Sequence, residues 1–117
     1  MQQKHQILID SGFLYALLTP QDSHYAQAQR FASNSLDVFL ISEITLPEVL
    51  FLASRDAGIY GKISTLSALR QAQGMLVTIA GHDLSRAHDI MLQYTNANFD
   101  FVDCVIMAQA ERLNITR

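Results

Sequence analysis

The stretch Ile7-Leu8-Ile9-Asp10-Ser11-Gly12-Phe13 decides the fold class of this sequence. Its three leading residues are apolar and rich in β-branching, which is typical of a buried strand, and Asp10 marks the end of that strand. A helical pattern follows from Phe13 to Leu18, where Thr19-Pro20 ends it. A buried strand that turns directly into a helix is the first half of a β-α-β unit and therefore predicts an α/β fold.

The same alternation continues along the chain. Further strands are predicted at 38–41 and 75–79, and further helices at 22–35, 45–58, 62–73, 83–94 and 100–113. Asp22 and Asp83 are expected to cap their helices, and Gly58 and Gly74 to end theirs. Strands that alternate with helices predict a mainly parallel central sheet flanked by helices.

Composition limits the function. A length of 117 residues fits a single domain, and eleven acids against eight bases give a net charge of −3, which argues against an indiscriminate basic nucleic-acid binder. This charge is compatible with an enzyme that binds the phosphates of its substrate through a metal cation. The single cysteine, Cys104, excludes an internal disulfide and suits a reducing compartment. With neither a signal peptide nor an apolar run of about 20 residues, we expect a cytoplasmic protein without a membrane segment.

Two acids stand where an element begins or ends. Asp10 follows the first strand, and ligands of α/β sheets gather at the carboxyl ends of strands, but Asp10 can equally cap the next helix. Ser11 could cap in its place and leave the carboxylate free. Glu48 forms a potential capping box with Thr45, and Pro47 is tolerated in a first turn. The helix around Glu48 is apolar on nearly every side, so we expect it to be central, where an acid needs a donor or a cation.

The last helix carries two more acids. Asp100 is expected to cap this helix, and Asp103 lies in its first turn, where the helix dipole favours a negative charge. The residues around Asp103 are apolar, which predicts a helix buried around most of its circumference and a partner for this carboxylate. Hard cations such as Mg²⁺ take carboxylate oxygens. The candidate metal site therefore consists of Asp10, Glu48 and Asp103, although no local sequence motif indicates such a site.

Four segments, taken in order, resemble a known family. They are ILIDSGFLYALL at 7–18, DSHYA at 22–26, LPEVL at 46–50 and FDFVDCVIMAQAERL at 99–113. Their order and spacing resemble PIN-domain nucleases, and within these the VapC-like toxins of bacterial toxin–antitoxin systems. The resemblance implies a PIN-like, three-layer α/β/α fold and a single domain over 1–117.

The resemblance also implies a function and a site. The chain would be a ribonuclease that hydrolyses RNA phosphodiester bonds with Mg²⁺ or Mn²⁺, and would form a homodimer blocked by a small antitoxin protein. Asp10, Glu48 and Asp103 would be the catalytic and metal-binding acids, with Asp100 as an additional metal ligand and Ser11 beside them. PIN domains usually continue into a strand with a Thr-x-Asp segment that supplies a fourth acid. We therefore expect 114–117 to enter a further strand and the domain to be truncated at its C-terminus.

Other classes fit the sequence less well. A haloacid-dehalogenase-like phosphatase needs a second Asp where Gly12 stands, the spacing of 58–62 is wrong for a P-loop, and no receiver-type acid pattern is evident. Ser11 and Cys104 lack a neighbouring base, and the four histidines lack zinc-ligand spacing. The alternative from another class is a catalytically inactive PIN-fold interaction or scaffold module.

Overall fold

A parallel three-stranded sheet forms the centre of the protein, whose computed structural model describes residues 5–115. The strands are β1 (Gln6–Ile9), β2 (Val38–Ser42) and β3 (Leu76–Val77), in the order β1-β2-β3. Ile7 pairs with Phe39, and Ile41 pairs with Leu76. The predicted third strand, 75–79, is shorter than expected. Met75 belongs to a 3-10 turn, and the N–H of Ile79 donates to the Glu43 carboxylate rather than to a neighbouring strand.

Helices account for most of the remaining described residues and agree with the predicted positions. Asp22 does not cap the second helix from the N-cap position; its carboxylate accepts the N–H of His24, which is the N-cap. The break predicted at 96–98 is confirmed by a short 3-10 turn and a left-handed Asn98. The helices are α1 (Ser11–Leu18), α2 (Tyr25–Asn34), α3 (Leu46–Gln71), α4 (Gly81–Gln93) and α5 (Phe101–Arg112).

Helix α3 consists of two segments separated by a break at Ala57 and Gly58. Gly58 has φ 62° and ψ −150°, a conformation that residues with a side chain rarely adopt. A Cβ on Gly61 would lie 2.6 Å from the carbonyl oxygen of Ala53, so the two segments also approach too closely for any larger residue there. The prediction of two helices, the first of which ends at Gly58, is thus confirmed, because these helices are the two segments of α3.

Two apolar cores hold the layers together. The first joins β1 and β2 to α1 and α3, and the second joins α4 to α5. Ile44, in the turn after β2, packs against the second core and connects it to the sheet. The α/β fold with a parallel sheet flanked by helices is as predicted. The first core contains Ile9, Leu14, Tyr15, Ile41, Val49, Ala53 and Leu69; the second contains Ala87, Ile90, Cys104 and Val105.

Two expectations about burial are wrong. The first segment of α3 is not surrounded on nearly every side, because Glu48 is exposed and Phe51 is 65% exposed. Likewise, Phe101 and Asp103 of α5 are exposed. Each helix packs through one face only, so apolar residues on the opposite face remain at the surface.

The expectations for the chain ends fall at the limit of the described range. Asn114 lies in a turn with φ 57°, and the predicted entry into a strand at 114–117 continues into residues 116–117, outside that range. No helix within residues 5–115 is long and apolar enough to cross a membrane.

Candidate metal site at the starts of three helices

Asp10 lies at the carboxyl end of β1, where the sequence predicted a ligand-binding acid. Its Oδ1 accepts the N–H of Phe13 at 2.8 Å, so Asp10 is the N-cap of α1. The alternative in which Ser11 caps this helix and leaves Asp10 free is therefore wrong. A carboxylate offers about four lone-pair positions on two oxygens, so the cap leaves Oδ2 available for another ligand.

Glu48 lies in the first turn of α3 and is exposed. The capping box expected with Thr45 does not form. The Thr45 hydroxyl is fully buried and donates to the carbonyl of Ser42 at 2.7 Å instead. The capping box, which was the structural alternative to a functional role for Glu48, is thus absent.

Asp100 and Asp103 lie at the start of α5. Asp100 is the N-cap and accepts the N–H of Asp103 at 2.9 Å, as the sequence predicted. The carboxylate of Asp103 is exposed, which contradicts the buried position expected for it. Both acids therefore face solvent at the same helix N-terminus.

The charges of these acids act on one another across two helices. The pKa of Asp103 is raised above its usual range by loss of hydration, then by Asp100, and to a smaller extent by Glu48. The starts of α3 and α5 are therefore close enough for Glu48 to act on Asp103. Glu48, Asp100 and Asp103 are thus brought together electrostatically. A carboxylate among like charges favours its proton or a cation.

The donor set fits a hard divalent cation in its chemistry. Among residues 5–115, however, no three Asp, Glu, His or Cys side chains are gathered closely enough to enclose a metal ion. Mg²⁺ is commonly held by one or two carboxylates, with waters and substrate phosphates completing its shell. The arrangement therefore fits a cation with few protein ligands and does not fit an all-protein cage.

Asp83 is the acid whose role the sequence did not reveal. It lies in the first turn of α4 rather than at its N-cap, and its Oδ2 accepts the N–H of Ala80 at 2.8 Å. Arg112, at the end of α5, donates to both of its oxygens at 2.8 and 3.0 Å and also to the carbonyl of Thr78. Burial by itself would raise the pKa of the fully buried Asp83, but these donors outweigh it and lower that pKa.

This pair fixes the orientation of α5. Gln109 adds a contact, because its amide donates to the carbonyls of Val77 and Thr78 at 3.4 and 3.3 Å. The C-terminal half of the helix is thereby anchored to the end of β3, and its N-terminal turn presents Asp100 and Asp103. No local pattern signals an ion pair between residues 29 positions apart.

Comparison with known proteins identifies a family and a similar solved structure. A family model described as the PIN domain matches residues 7–117. The crystal structure of VapC20 from Mycobacterium tuberculosis, described as a sarcin–ricin loop cleaving toxin, has a TM-score of 0.75 and 18% sequence identity to this chain. The alignment covers 92% of this chain and 83% of VapC20, and at that identity the likeness concerns the fold. No sequence among the curated proteins compared matches this chain.

Proposed function

Because the chain belongs to the PIN domain family, we propose that it is a ribonuclease that hydrolyses phosphodiester bonds in RNA with Mg²⁺ or Mn²⁺. We further propose that it is the VapC-like toxin of a type II toxin–antitoxin system. One observation carries the proposal: in a chain that matches the family over 7–117, Asp103 is exposed at a helix start with Glu48 and Asp100 as charged neighbours.

The cation would take its protein ligands from four carboxylates, with waters and RNA phosphate oxygens completing its shell. Asp10, Glu48 and Asp103 would be its main ligands, and Asp100 would add an oxygen. When bound, the cation would polarise a water for attack on phosphorus and stabilise the leaving oxygen. The chain itself contributes rigidity, because the N–H groups of Phe13 and Asp103 hold the Asp10 and Asp100 carboxylates in place.

The mechanism needs no covalent nucleophile from the protein. Cys104 is fully buried, and the pKa of its thiol is raised by burial, then by Asp103 and Asp100. A thiol with a raised pKa forms little of the reactive thiolate at neutral pH. This cysteine therefore acts as a packing residue of the α4–α5 core.

RNA cleavage by the purified protein tests the proposal. An RNA carrying the sarcin–ricin loop is the first substrate to try, because VapC20 is described as cleaving that loop. We expect cleavage with Mn²⁺ or Mg²⁺, none with EDTA, and none by Asp103→Asn. Asp89→Asn, a change at an exposed α4 position, should cleave normally. Cleavage that persists in EDTA and in Asp103→Asn would contradict the acidic-site mechanism.

The second candidate is a PIN-fold interaction module without activity. The observation that favours it is the lack of a three-ligand cluster within residues 5–115. Thermal melting separates the two functions. A ribonuclease of the proposed kind should melt at a higher temperature in Mn²⁺ and lose that shift in Asp10→Asn. An unchanged melting temperature together with intact RNA would instead favour the interaction module.

We also propose a homodimer, an antitoxin partner and a cytoplasmic site of action. Three exposed apolar side chains, Ile59, Ile63 and Leu66, follow helical spacing on the second segment of α3, and Tyr60 beside them is 80% exposed. Exposed apolar faces of this kind are common at protein interfaces. Light scattering should give twice the chain mass, and a strict monomer would count against the dimer.

A further inference from the structure

The chain between β3 and α4 is hydrogen-bonded to the end of α5. We name this segment, residues 78–83, the junction; it includes the first turn of α4. The Arg112 guanidinium donates to both oxygens of Asp83 at 2.8 and 3.0 Å and to the carbonyl of Thr78 at 3.2 Å. The amide of Gln109 donates to the same carbonyl at 3.3 Å. Two side chains of α5 thus hold its C-terminal end on the junction.

A second element holds the same junction through Glu43. The Oε1 atom of Glu43 accepts the N–H of Ile79 at 2.6 Å, across 36 positions in the chain. Glu43 begins the 3-10 turn that follows β2 and leads directly into α3. This turn is itself fixed, because the fully buried Thr45 hydroxyl donates to the carbonyl of Ser42 at 2.7 Å. The start of α3 is therefore attached to the junction through one carboxylate.

These contacts join the two helices that carry most of the candidate acids. Glu48 lies five residues after Glu43, in the first turn of α3. Asp103 lies nine residues before Arg112 on α5, roughly 14 Å along the helix axis. Glu48 is close enough to act on Asp103 electrostatically. The separation of these two carboxylates thus depends on how α3 and α5 are both held on the junction.

The charges at the helix starts make such an attachment necessary. Without a cation, Glu48, Asp100 and Asp103 repel one another, and the repulsion favours moving the starts of α3 and α5 apart. The bonds of Glu43 and Arg112 oppose that movement because each fixes one of the two helices to the same short segment. In metal sites, residues that hold the ligands in place commonly contribute roughly 10- to 100-fold to metal affinity.

We propose that Glu43 and Arg112 are positioning residues of the ribonuclease site. Through the junction they set the separation between Glu48 on α3 and Asp103 on α5, and with it the affinity for the cation. This inference rests on the proposed ribonuclease function and deepens it. Neither residue contacts the cation or the RNA; each acts through the helix that it holds.

Mn²⁺ binding by the full chain tests the role of Glu43 without cleavage. Glu43→Leu removes the acceptor of the Ile79 N–H and should weaken Mn²⁺ binding about 10-fold, measured by calorimetric titration well below the melting temperature. Glu43→Gln keeps an acceptor oxygen and should restore most of the affinity. This rescue distinguishes a lost hydrogen bond from a lost negative charge, because both variants lack the charge.

Arg112→Lys provides an independent variant at the other attachment. Lysine keeps a positive charge for the buried Asp83, but it lacks the planar fork that binds Asp83 and Thr78 together. Mn²⁺ affinity should fall, by less than in Glu43→Leu. Ile90→Val is the control for stability, because it removes one methylene from the α4–α5 core and leaves the junction's hydrogen bonds in place. It should lower the melting temperature without changing Mn²⁺ affinity.

Cleavage kinetics provide the second measurement. In Glu43→Leu, the Mn²⁺ concentration that gives half the maximal rate should rise about as much as the affinity falls. At saturating Mn²⁺, kcat should recover most of its value and KM for RNA should change little, because the cation then brings the carboxylates together. Ile90→Val should need the same Mn²⁺ concentration as the unmodified protein.

The outcomes separate this inference from the proposed function. Unchanged Mn²⁺ affinity in Glu43→Leu and Arg112→Lys, in a protein that binds Mn²⁺ and cleaves RNA, would overturn the positioning role alone. Equal weakening in Ile90→Val would also overturn it, since general loss of stability would then explain the effect. Mn²⁺ binding that depends on Glu43 in a protein that leaves RNA intact would support the positioning role and contradict the ribonuclease.

Discussion

The carboxylates near the two ends of helix α5 have opposite electrostatic surroundings. At the C-terminal end, Arg112 donates two hydrogen bonds to Asp83, and Arg86 donates two to Glu111. At the N-terminal end, Asp103 has Asp100 and Glu48 as its charged neighbours. The pKa of the fully buried Asp83 is lowered, whereas that of the exposed Asp103 is raised.

Loss of hydration is the largest single influence on both acids and raises the pKa of each, so the difference between them lies in their partners. Burial alone would raise the pKa of Asp83, yet its donors reverse that effect. Asp103 loses less contact with water but lacks a compensating cation among the groups that shift its pKa. The paired end serves stability, and the acidic end has the charge that attracts a cation.

The largest expected effect is on cleavage. Asp10→Asn and Asp103→Asn should each reduce RNA cleavage by at least about 100-fold, because each removes a charged oxygen ligand. Asn is also a good N-cap, so Asp10→Asn should keep α1 intact. Initial rates on a labelled RNA measure the effect, with circular dichroism as the check on folding. Rates within a few-fold of the unmodified protein would show that these acids do not form the site.

The next effect is on stability at the paired end. Asp83→Asn should lower the free energy of unfolding by on the order of 2 kcal/mol, less than for a fully buried pair because the Arg112 side chain is 32% exposed. Urea unfolding at pH 7 measures this change. Arg86→Met, which breaks the more exposed pair with Glu111, is the control and should cost clearly less. Equal losses in both variants would mean that burial does not distinguish the pairs.

Acid should weaken the paired end selectively. Because the pKa of Asp83 is lower in the folded protein, its stabilisation is complete above the ordinary carboxyl pKa of about 4 and is lost as pH falls through the folded-state value. The stability difference between the unmodified protein and Asp83→Asn should therefore shrink below about pH 4. Urea titrations at several pH values measure it, and a difference that grows with acid would contradict the assigned direction.

The smallest effect concerns the acidic end. Since the pKa of Asp103 is raised, its ionised form is unfavourable in the folded protein at neutral pH. Because Asp103 is exposed, solvent screens this effect, so Asp103→Asn should stabilise the metal-free protein at pH 7 by at most about a few tenths of a kcal/mol, and the gain should vanish below about pH 4. Melting in EDTA measures it. A clear loss of stability would show that Asp103 has a structural partner.

Local sequence predicted the elements and the caps to different degrees. The apolar run at 7–9 and the glycine at 58 located β1 and the break in α3 because strand burial and a positive φ are local requirements. Asp100 is a cap as predicted. Asp10, by contrast, was open between capping and a free carboxylate, and the competition with Ser11 was resolved only by the geometry of the first turn.

The candidate acids were predicted in position but not in surroundings. Asp10, Glu48, Asp100 and Asp103 all lie at helix starts, as the sequence indicated. The expected burial of Asp103 was wrong, because apolar neighbours in sequence do not reveal which face of a helix packs. Their identity as metal ligands stays a prediction, as do the cation and the RNA target.

The sequence by itself determined the α/β alternation, the parallel sheet and the placement of acids at helix starts, since each depends on neighbouring residues. Only the tertiary structure decided which carboxylates are paired with a cationic side chain. The Asp83–Arg112 pair and the field shared by Glu48 and Asp103 join residues far apart in the chain. Electrostatic interactions depend on distance in space, so these contacts exist only once α3, α4 and α5 have packed.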